Sequence, residues 1–278
     1  MKHFAYLLPV CCLLFAACRK DSPATEIIPT PRSVKAGQGT FDLGGGIRIA
    51  PADPLLRPAA DYLAQLLREE DVAAAQDAGN ANLSLELDPR LPQQGYTLKI
   101  TPARIELRGG SCEGVVSAAA SLRQLLWSGK GSLPALEIDD APRFAYRGMM
   151  LDVARTWIGV DGVKRYIDLL SYHGINKLHL HLSDDEGWRI EIRSHPELTE
   201  IGGFRGGDSP VRPVYGKWDE KYGGFYTQDE MRGLIRYAAV RNIEIIPEID
   251  LPGHSRNIAS VHLEIRCNYP PDTLSTNG

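Results

Sequence analysis

The chain has 278 residues, 43% hydrophobic and 24% charged, with 31 basic against 35 acidic residues and a formal net charge of −4. This is a globular composition, which argues against disorder. Without a basic cluster it also argues against nucleic-acid binding, which needs a concentrated Lys/Arg footprint. The length suits one large domain or two modest ones.

Met1-Lys2-His3 precede an apolar run from Phe4 to Ala17, followed by Cys18-Arg19-Lys20-Asp21. The run is too short to span a bilayer as a stable helix and has the layout of a secretory signal. Leu14-Phe15-Ala16-Ala17-Cys18 resembles a bacterial lipoprotein signal, although Phe15 stands where Leu is commoner; an ordinary cleaved signal peptide is the alternative. On the first reading residues 1–18 are the signal, Cys18 carries the lipid, and 19–26 form a spacer. The protein is then exported and tethered to a bacterial membrane, the outer membrane by preference, on its periplasmic or surface face. Cys11 and Cys12 fall in the signal, leaving Cys112 and Cys267 for the folded body. They lack CxxC spacing, so zinc and redox motifs are unsupported. A disulfide between them is open, and two unrelated buried thiols is the preferred reading.

Residues 27–140 read as a small α+β domain. Strands are expected over Gly46–Ala50 and the strictly alternating Leu83–Leu87, with a hairpin of Tyr96–Ile100 and Ile105–Arg108. Helices are expected over Leu56–Glu70 and Gly114–Leu126, packed on one side of the strands. From 141 to 278 the rhythm changes. Gly148–Val153, Ile175–Leu182 and Ile243–Ile249 read as near-continuously apolar strands. Between them lie a helix over Asp161–Tyr172 and a second running to Arg241, opened by a capping box at Thr227-Gln228-Asp229-Glu230. Strand–helix alternation implies right-handed βαβ units and a parallel sheet.

A Rossmann-type sheet would carry a glycine-rich turn after its first strand, but Asp152-Val153-Ala154-Arg155-Thr156 has no glycine. Each strand ends instead in polar residues: Asp152 and Arg155, then Asp184 and Asp185, then Glu248, Asp250 and His254. That pattern suits a (β/α)₈ TIM barrel, whose active site is built at strand C-termini. Such a barrel takes about 250 residues, whereas 133 remain from Tyr146 to Gly278. The expectation is therefore an incomplete barrel of about three strands in a truncated chain.

Arg155, Asp184, Asp185 and His254 are the residues most suited to chemistry. An arginine fixed by a carboxylate can offer planar donors to neighbouring sugar hydroxyls, and a nearby histidine can hydrogen-bond at the reacting centre. The plain alternatives are a structural salt bridge and a capping or core histidine. Trp188 is read as core packing in preference to a sugar platform.

Three ordered stretches carry a resemblance: Asp140–Gly148 with Leu151–Arg155, Asn176–Arg189, and Ile246–Ser255. Together they resemble glycoside hydrolase family 20, the β-N-acetylhexosaminidases. Residues 27–140 resemble the smaller domain that precedes the barrel in that family. The resemblance implies that Arg155 holds hydroxyls of the non-reducing sugar, that Asp184 supports the arginine and the acid, and that His254 lines the pocket. Thr156 stands where the family often has His, and Glu186 where it usually has Gln, which could alter local charge. The family's adjacent Asp-Glu pair, in a His-x-Gly-Gly-Asp-Glu motif, does not occur in these residues. Asp185-Glu186, Asp219-Glu220 and Asp229-Glu230 are the only Asp-Glu neighbours, and none suits the role.

The implied activity is exo-acting removal of terminal β-linked N-acetylhexosamine from glycans. It proceeds with retention by substrate-assisted catalysis and implies neither metal nor organic cofactor. Glycans and a membrane are the expected partners. The alternatives are another barrel glycosidase acting on amino sugars, a non-catalytic glycan-binding lipoprotein that kept the pocket, and a purely structural lipoprotein.

Overall fold

The structure, a computed structural model, describes residues 27–265 apart from 130, 214, 215, 217 and 218. The proposed signal, the spacer, Cys18 and Cys267 lie outside the described residues.

The first layer is a seven-stranded mixed sheet. Its strands are β1 (Ser33–Asp42), β2 (Ile47–Pro51), β3 (Ala74–Gln76), β4 (Leu83–Leu87), β5 (Tyr96–Ile100), β6 (Ile105–Gly109) and β7 (Ser132–Asp140), in spatial order β1-β7-β5-β6-β4-β2-β3. Strand alternation sends Leu83, Leu85, Leu98, Ile105 and Leu107 to one buried face. Helices α1 (Arg57–Glu69) and α2 (Cys112–Ser128) contribute Leu63, Leu66, Leu67, Ala118 and Leu122 to the same core. Each such Leu or Ile, fully buried, contributes roughly 1.5–3 kcal/mol. Helix α2 starts at Ser111, whose hydroxyl accepts from Glu113 N–H at 3.1 Å.

Strands β1, β3 and β7 were not expected. Gly37 and Gly39 in β1 and Pro134 in β7 read locally as breakers. The ladder absorbs the glycines in a register shift between Ala36 and Thr40, and Pro134 lies in the half of β7 that pairs with β1 alone. Cys112 corrects a second expectation: it is exposed and free, not buried. As the first residue of α2 it lies outside the buried stripe.

Strands β8 (Gly148–Asp152), β9 (Lys177–His181) and β14 (Glu244–Glu248) form a parallel sheet in the order β14-β9-β8. Helices α3 (Val160–Tyr172) and α5 (Gln228–Ala239) connect them, with α5 ending two residues before the expected Arg241. The capping box is present, Thr227 Oγ1 accepting from Glu230 N–H at 3.2 Å and the Glu230 carboxylate accepting from Thr227 N–H at 2.8 Å. Leu178 and Leu180 are fully buried against Val163, Ile167, Leu234 and Ala238. The other face of the sheet carries Met150, His179 and Ile246 in one rung and Asp152, His181 and Glu248 in another.

A long excursion joins β9 to α5. It contains β10 (Ser183–Asp184), β11 (Gly187–Trp188), α4 (Glu197–Glu200), β12 (Phe204–Arg205) and β13 (Tyr222–Gly223). After β14 comes α6 (Arg256–Val261). Trp188, Leu198 and Ile258 form a small core between these segments, so Trp188 is packed and its Nε1–H donates to Ile190 O at 2.6 Å. Among the described residues no helix is long and apolar enough to cross a membrane.

The two layers meet at the N-terminal ends of the parallel strands. Tyr62 Oη and Ser171 Oγ stand 3.2 Å apart, Gln124 Nε2 donates to Tyr172 O at 2.9 Å, and Arg147 Nη1 donates to Gln94 Oε1 at 2.7 Å. The C-terminal ends are left clear for a site.

Candidate sugar-binding site

The parallel register decides which polar groups meet. It aligns Asp152, His181 and Glu248 across three adjacent strands, each as the last residue of its strand. His181 is buried between two carboxylates, its Nε2 2.8 Å from Asp184 Oδ2 and its Nδ1 2.9 Å from Glu248 Oε2. A neutral imidazole donates one hydrogen bond, whereas an imidazolium serves both carboxylates. Burial pulls the His181 pKa down, but its hydrogen bond to Asp184 and its ion pair with Glu248 outweigh burial and raise it above 6.5. For Glu248 burial acts upward, and the facing His181 and His179 rings overcome it, holding the carboxyl below 4.5.

Arg155 sits three residues past the first strand and is gripped from two sides. Its Nη1 donates to Asp152 Oδ2 at 2.7 Å and its Nη2 lies 2.6 Å from Asp184 Oδ2. Asp152 Oδ1 also accepts from Arg155 N–H at 2.9 Å, fixing the backbone of the turn. The Arg155 side chain is 35% exposed, while that of Asp184 is 2% exposed. Asp184 is thus a buried hub: Oδ2 faces Arg155 and His181, and Oδ1 accepts from Asp185 N–H at 2.6 Å. His254 Nδ1 comes within 3.6 Å of Asp184 Oδ1. The structure therefore brings Arg155, Asp184 and His254 together.

Asp185 plays a different part. Its Oδ1 accepts from Arg256 N–H at 2.9 Å, tying down the loop that presents His254. Asp250 N–H donates to Ser183 Oγ at 3.0 Å, and Ser255 Oγ donates to Asp250 O at 3.1 Å, which pins that loop at both ends. His254 itself takes φ 51°, a left-handed conformation costly for a residue with a Cβ.

Two buried cations support this frame. Arg189 is fully buried and donates to Val153 O, Ala154 O, Gly203 O and Gly224 O at 2.8, 2.6, 2.5 and 3.0 Å. It braces the backbone immediately before Arg155, and burial, aided by nearby Arg205, lowers its pKa to about 10. A Cβ on Gly187 would stand 2.3 Å from the Arg189 guanidinium carbon, so that position is restricted to glycine. Arg205 pairs with the buried Glu186 at 2.5 Å and donates to Arg155 O at 2.6 Å. Glu186 therefore has its own cation, and the pair meets Arg155 from behind.

Sequence reading did not single out His181 or Arg205. A signal was available for His181: a histidine closing an apolar strand, level with Asp152 and Glu248 when the strand starts are aligned. None was available for Arg205, which reaches Glu186 across an irregular excursion.

Asp184, Asp185 and His254 bring ligand atoms within 4.8 Å of one another, as do His181, Glu248 and Asp250. In the first set Asp184 already faces Arg155, so a cation there would compete with a fixed positive group. What the arrangement can do is present a rigid guanidinium and an imidazole to a polyhydroxylated ligand.

Comparison with known proteins identifies the family. The profile described as "Glycosyl hydrolase family 20, catalytic domain" matches residues 144–277, and that for "Glycosyl hydrolase family 20, domain 2" matches 24–141. A β-hexosaminidase of Vibrio furnissii is 43% identical over 86% of this chain and 40% of its own length. One from Porphyromonas gingivalis is 32% identical over 96% of the chain and 37% of its length. The chain thus spans about two fifths of the length of these curated relatives. Among solved structures, a Vibrio harveyi exo β-N-acetylglucosaminidase in complex with N-acetylglucosamine superposes with a TM-score of 0.81 at 37% identity, covering 87% of this chain and 38% of that one. A Streptomyces plicatus N-acetyl-β-hexosaminidase superposes with a TM-score of 0.78 at 36% identity, covering 92% and 52%. The three parallel strands are accordingly part of a (β/α)₈ barrel preceded by an α+β domain, and the chain belongs to glycoside hydrolase family 20.

Proposed function

We propose that Arg155, Asp184 and His254 bind the terminal sugar of a glycan ending in β-linked N-acetylhexosamine, as part of an exo-acting β-N-acetylhexosaminidase. One observation carries the reading: a partly exposed arginine locked by two carboxylates at adjacent strand ends, with His254 beside the buried one. Locking the guanidinium in advance removes the ordering cost that a free arginine would bear on binding. Its planar N–H groups donate to neighbouring ring hydroxyls, and His254 hydrogen-bonds nearer the reacting end. In the substrate-assisted route the sugar's own acetamido carbonyl attacks the anomeric carbon, a neighbouring aspartate orients it, and a glutamic acid protonates the leaving oxygen. These 278 residues contain no suitable Asp-Glu pair. The work assigned to them is binding and orientation.

Saturation-transfer NMR with N-acetylglucosamine tests the binding role. Arg155→Met should weaken the complex at least tenfold, and affinity equal to the parent's would refute the assignment. The 278-residue chain should not hydrolyse an aryl N-acetyl-β-glucosaminide, and turnover by purified material would refute the division of labour.

We also propose export and lipid attachment at Cys18, on the strength of the apolar Phe4–Ala17 run and the Leu14–Cys18 segment. Metabolic labelling with palmitate in a bacterial host should mark the parent and leave Cys18→Ser unlabelled. An unlabelled parent would point to an ordinary cleaved signal.

A further inference from the structure

A cluster of metal-ligand type lies outside the sugar site. His195 belongs to the excursion after β11, Glu197 opens α4, and His262 follows α6. His195 Nδ1 stands 3.2 Å from Glu197 Oε1, and His262 Nε2 stands 3.1 Å from the same oxygen. The two rings meet edge-on, with centroids 5.6 Å apart, and the three ligand atoms all lie within 4.8 Å of one another. A tetrahedral zinc ion with bonds of about 2.0–2.1 Å holds its ligand atoms roughly 3.3 Å apart. Two edges of such a tetrahedron are therefore already formed.

The second observation concerns His262 alone. Its other nitrogen, Nδ1, lies 3.0 Å from Glu264 Oε1, so both ring nitrogens face carboxylate oxygens. A neutral imidazole has one N–H and one lone pair. With the proton on Nδ1 it donates to Glu264, and the Nε2 lone pair is directed at an anion. Either a second ring proton or a metal cation between Nε2 and Glu197 resolves that conflict, and with the metal the lone pair and the carboxylate share one ion. Glu264 becomes the outer carboxylate that orients a metal-bound histidine. The His195 side chain is 57% exposed, which leaves a path from solvent.

We propose that His195, Glu197 and His262 form a site for a divalent transition-metal ion of the zinc class, with Glu264 as the orienting partner of His262. Imidazole and carboxylate ligands suit such ions. The ion joins the connection after the second barrel strand to the one after the third. Helix α6 already holds this junction through Asn257, whose Nδ2 donates to Gly202 O at 2.6 Å. Metal binding therefore tightens the segment that follows the His254 loop, and it does so whether or not the sugar assignment holds.

Isothermal titration of chelator-treated, thiol-alkylated protein with Zn²⁺ tests the proposal. Alkylation removes the exposed Cys112 as a competing ligand. One ion should bind per chain with a micromolar dissociation constant. Glu264→Gln should weaken binding about tenfold, and a His195→Gln/His262→Gln double variant should abolish it. Far-UV circular dichroism of the metal-free variants checks that they fold. No binding by the parent, or undiminished binding by the folded double variant, overturns the site. Should the double variant not fold, diethyl pyrocarbonate footprinting of the parent decides. Zn²⁺ should protect His195 and His262, while protection confined to His181 or His254, or none at all, overturns the proposal.

Discussion

The two ends of the three parallel strands use charge differently, although the N-terminal end also holds the Lys177–Glu244 ion pair. At the N-terminal end Arg147 donates to carbonyls and an amide: Gly174 O at 2.6 Å, Phe144 O at 2.7 Å and Gln94 Oε1 at 2.7 Å. Asn176 completes that network, accepting from Arg147 N–H and donating to Ala145 O, both at 2.9 Å. At the C-terminal end charge meets charge, through Arg155 with Asp152 and Asp184, and His181 with Asp184 and Glu248. A cation bonded to backbone dipoles serves cohesion, and here it docks one domain on the other. Formal charges held against one another at a partly open surface can be redirected to a ligand. The bottom of a barrel is where stability is secured and the top is where function is built. Arg189 is the exception that clarifies the rule, a top-end cation that uses only carbonyls and serves the frame.

The largest expected effect comes from breaking that exception. Arg189→Leu strands four carbonyls in a buried space and should cost about 3–5 kcal/mol at roughly 1–3 kcal/mol per fully stranded group with partial relaxation, read as a lower urea midpoint at unchanged m-value. A loss under about 1 kcal/mol would mean that the excursion repacks freely.

Next comes a paired comparison of the two ends. Arg147→Met should cost about 2 kcal/mol and leave N-acetylglucosamine binding unchanged in the folded protein. Asp184→Asn should cost a similar amount, since it removes the charge shared by Arg155 and His181, and should also weaken sugar binding at least tenfold. If both variants bind sugar equally well, the two ends do not divide labour as drawn.

A smaller effect concerns pH. The His181 pKa is raised above 6.5 in the folded protein, so its contribution is fully present below pH 6.5 and fades as pH rises through the higher folded value. The Glu248 pKa is lowered below 4.5, so its contribution is present above pH 4.5 and fades as pH falls through the lower folded value. Together they favour the fold most between these limits. His181→Gln should flatten the decline in urea midpoint above pH 6.5, and an unaltered slope would assign that decline to another group.

The smallest effect is expected at Cys112. Its exposed thiol should alkylate in the native state at the rate of an unstructured peptide, without shifting the urea midpoint. Slow alkylation would show that the start of α2 is covered in solution.

The sequence alone determined much that is local. Apolar spacing located α1, α2 and α3, and period-two alternation located β4, β5 and β6, because one buried face imprints its period on the residues that form it; a capping box marked the start of α5. Ordered motifs brought Arg155, Asp184 and His254 into view, since each follows directly from its own strand end. Tertiary structure decided whatever depends on a partner distant in sequence. Strands β1 and β7 exist because they pair with each other, despite glycine and proline that read locally as breakers. His181 acquires its role only when register sets Asp152 on one side of it and Glu248 on the other. Glu186 is a buried charge made tolerable by Arg205, brought in from the far side of an irregular excursion. Periodicity records which face of an element is buried. It carries no record of which charges the other elements bring to that face, and in this protein those charges make the candidate site.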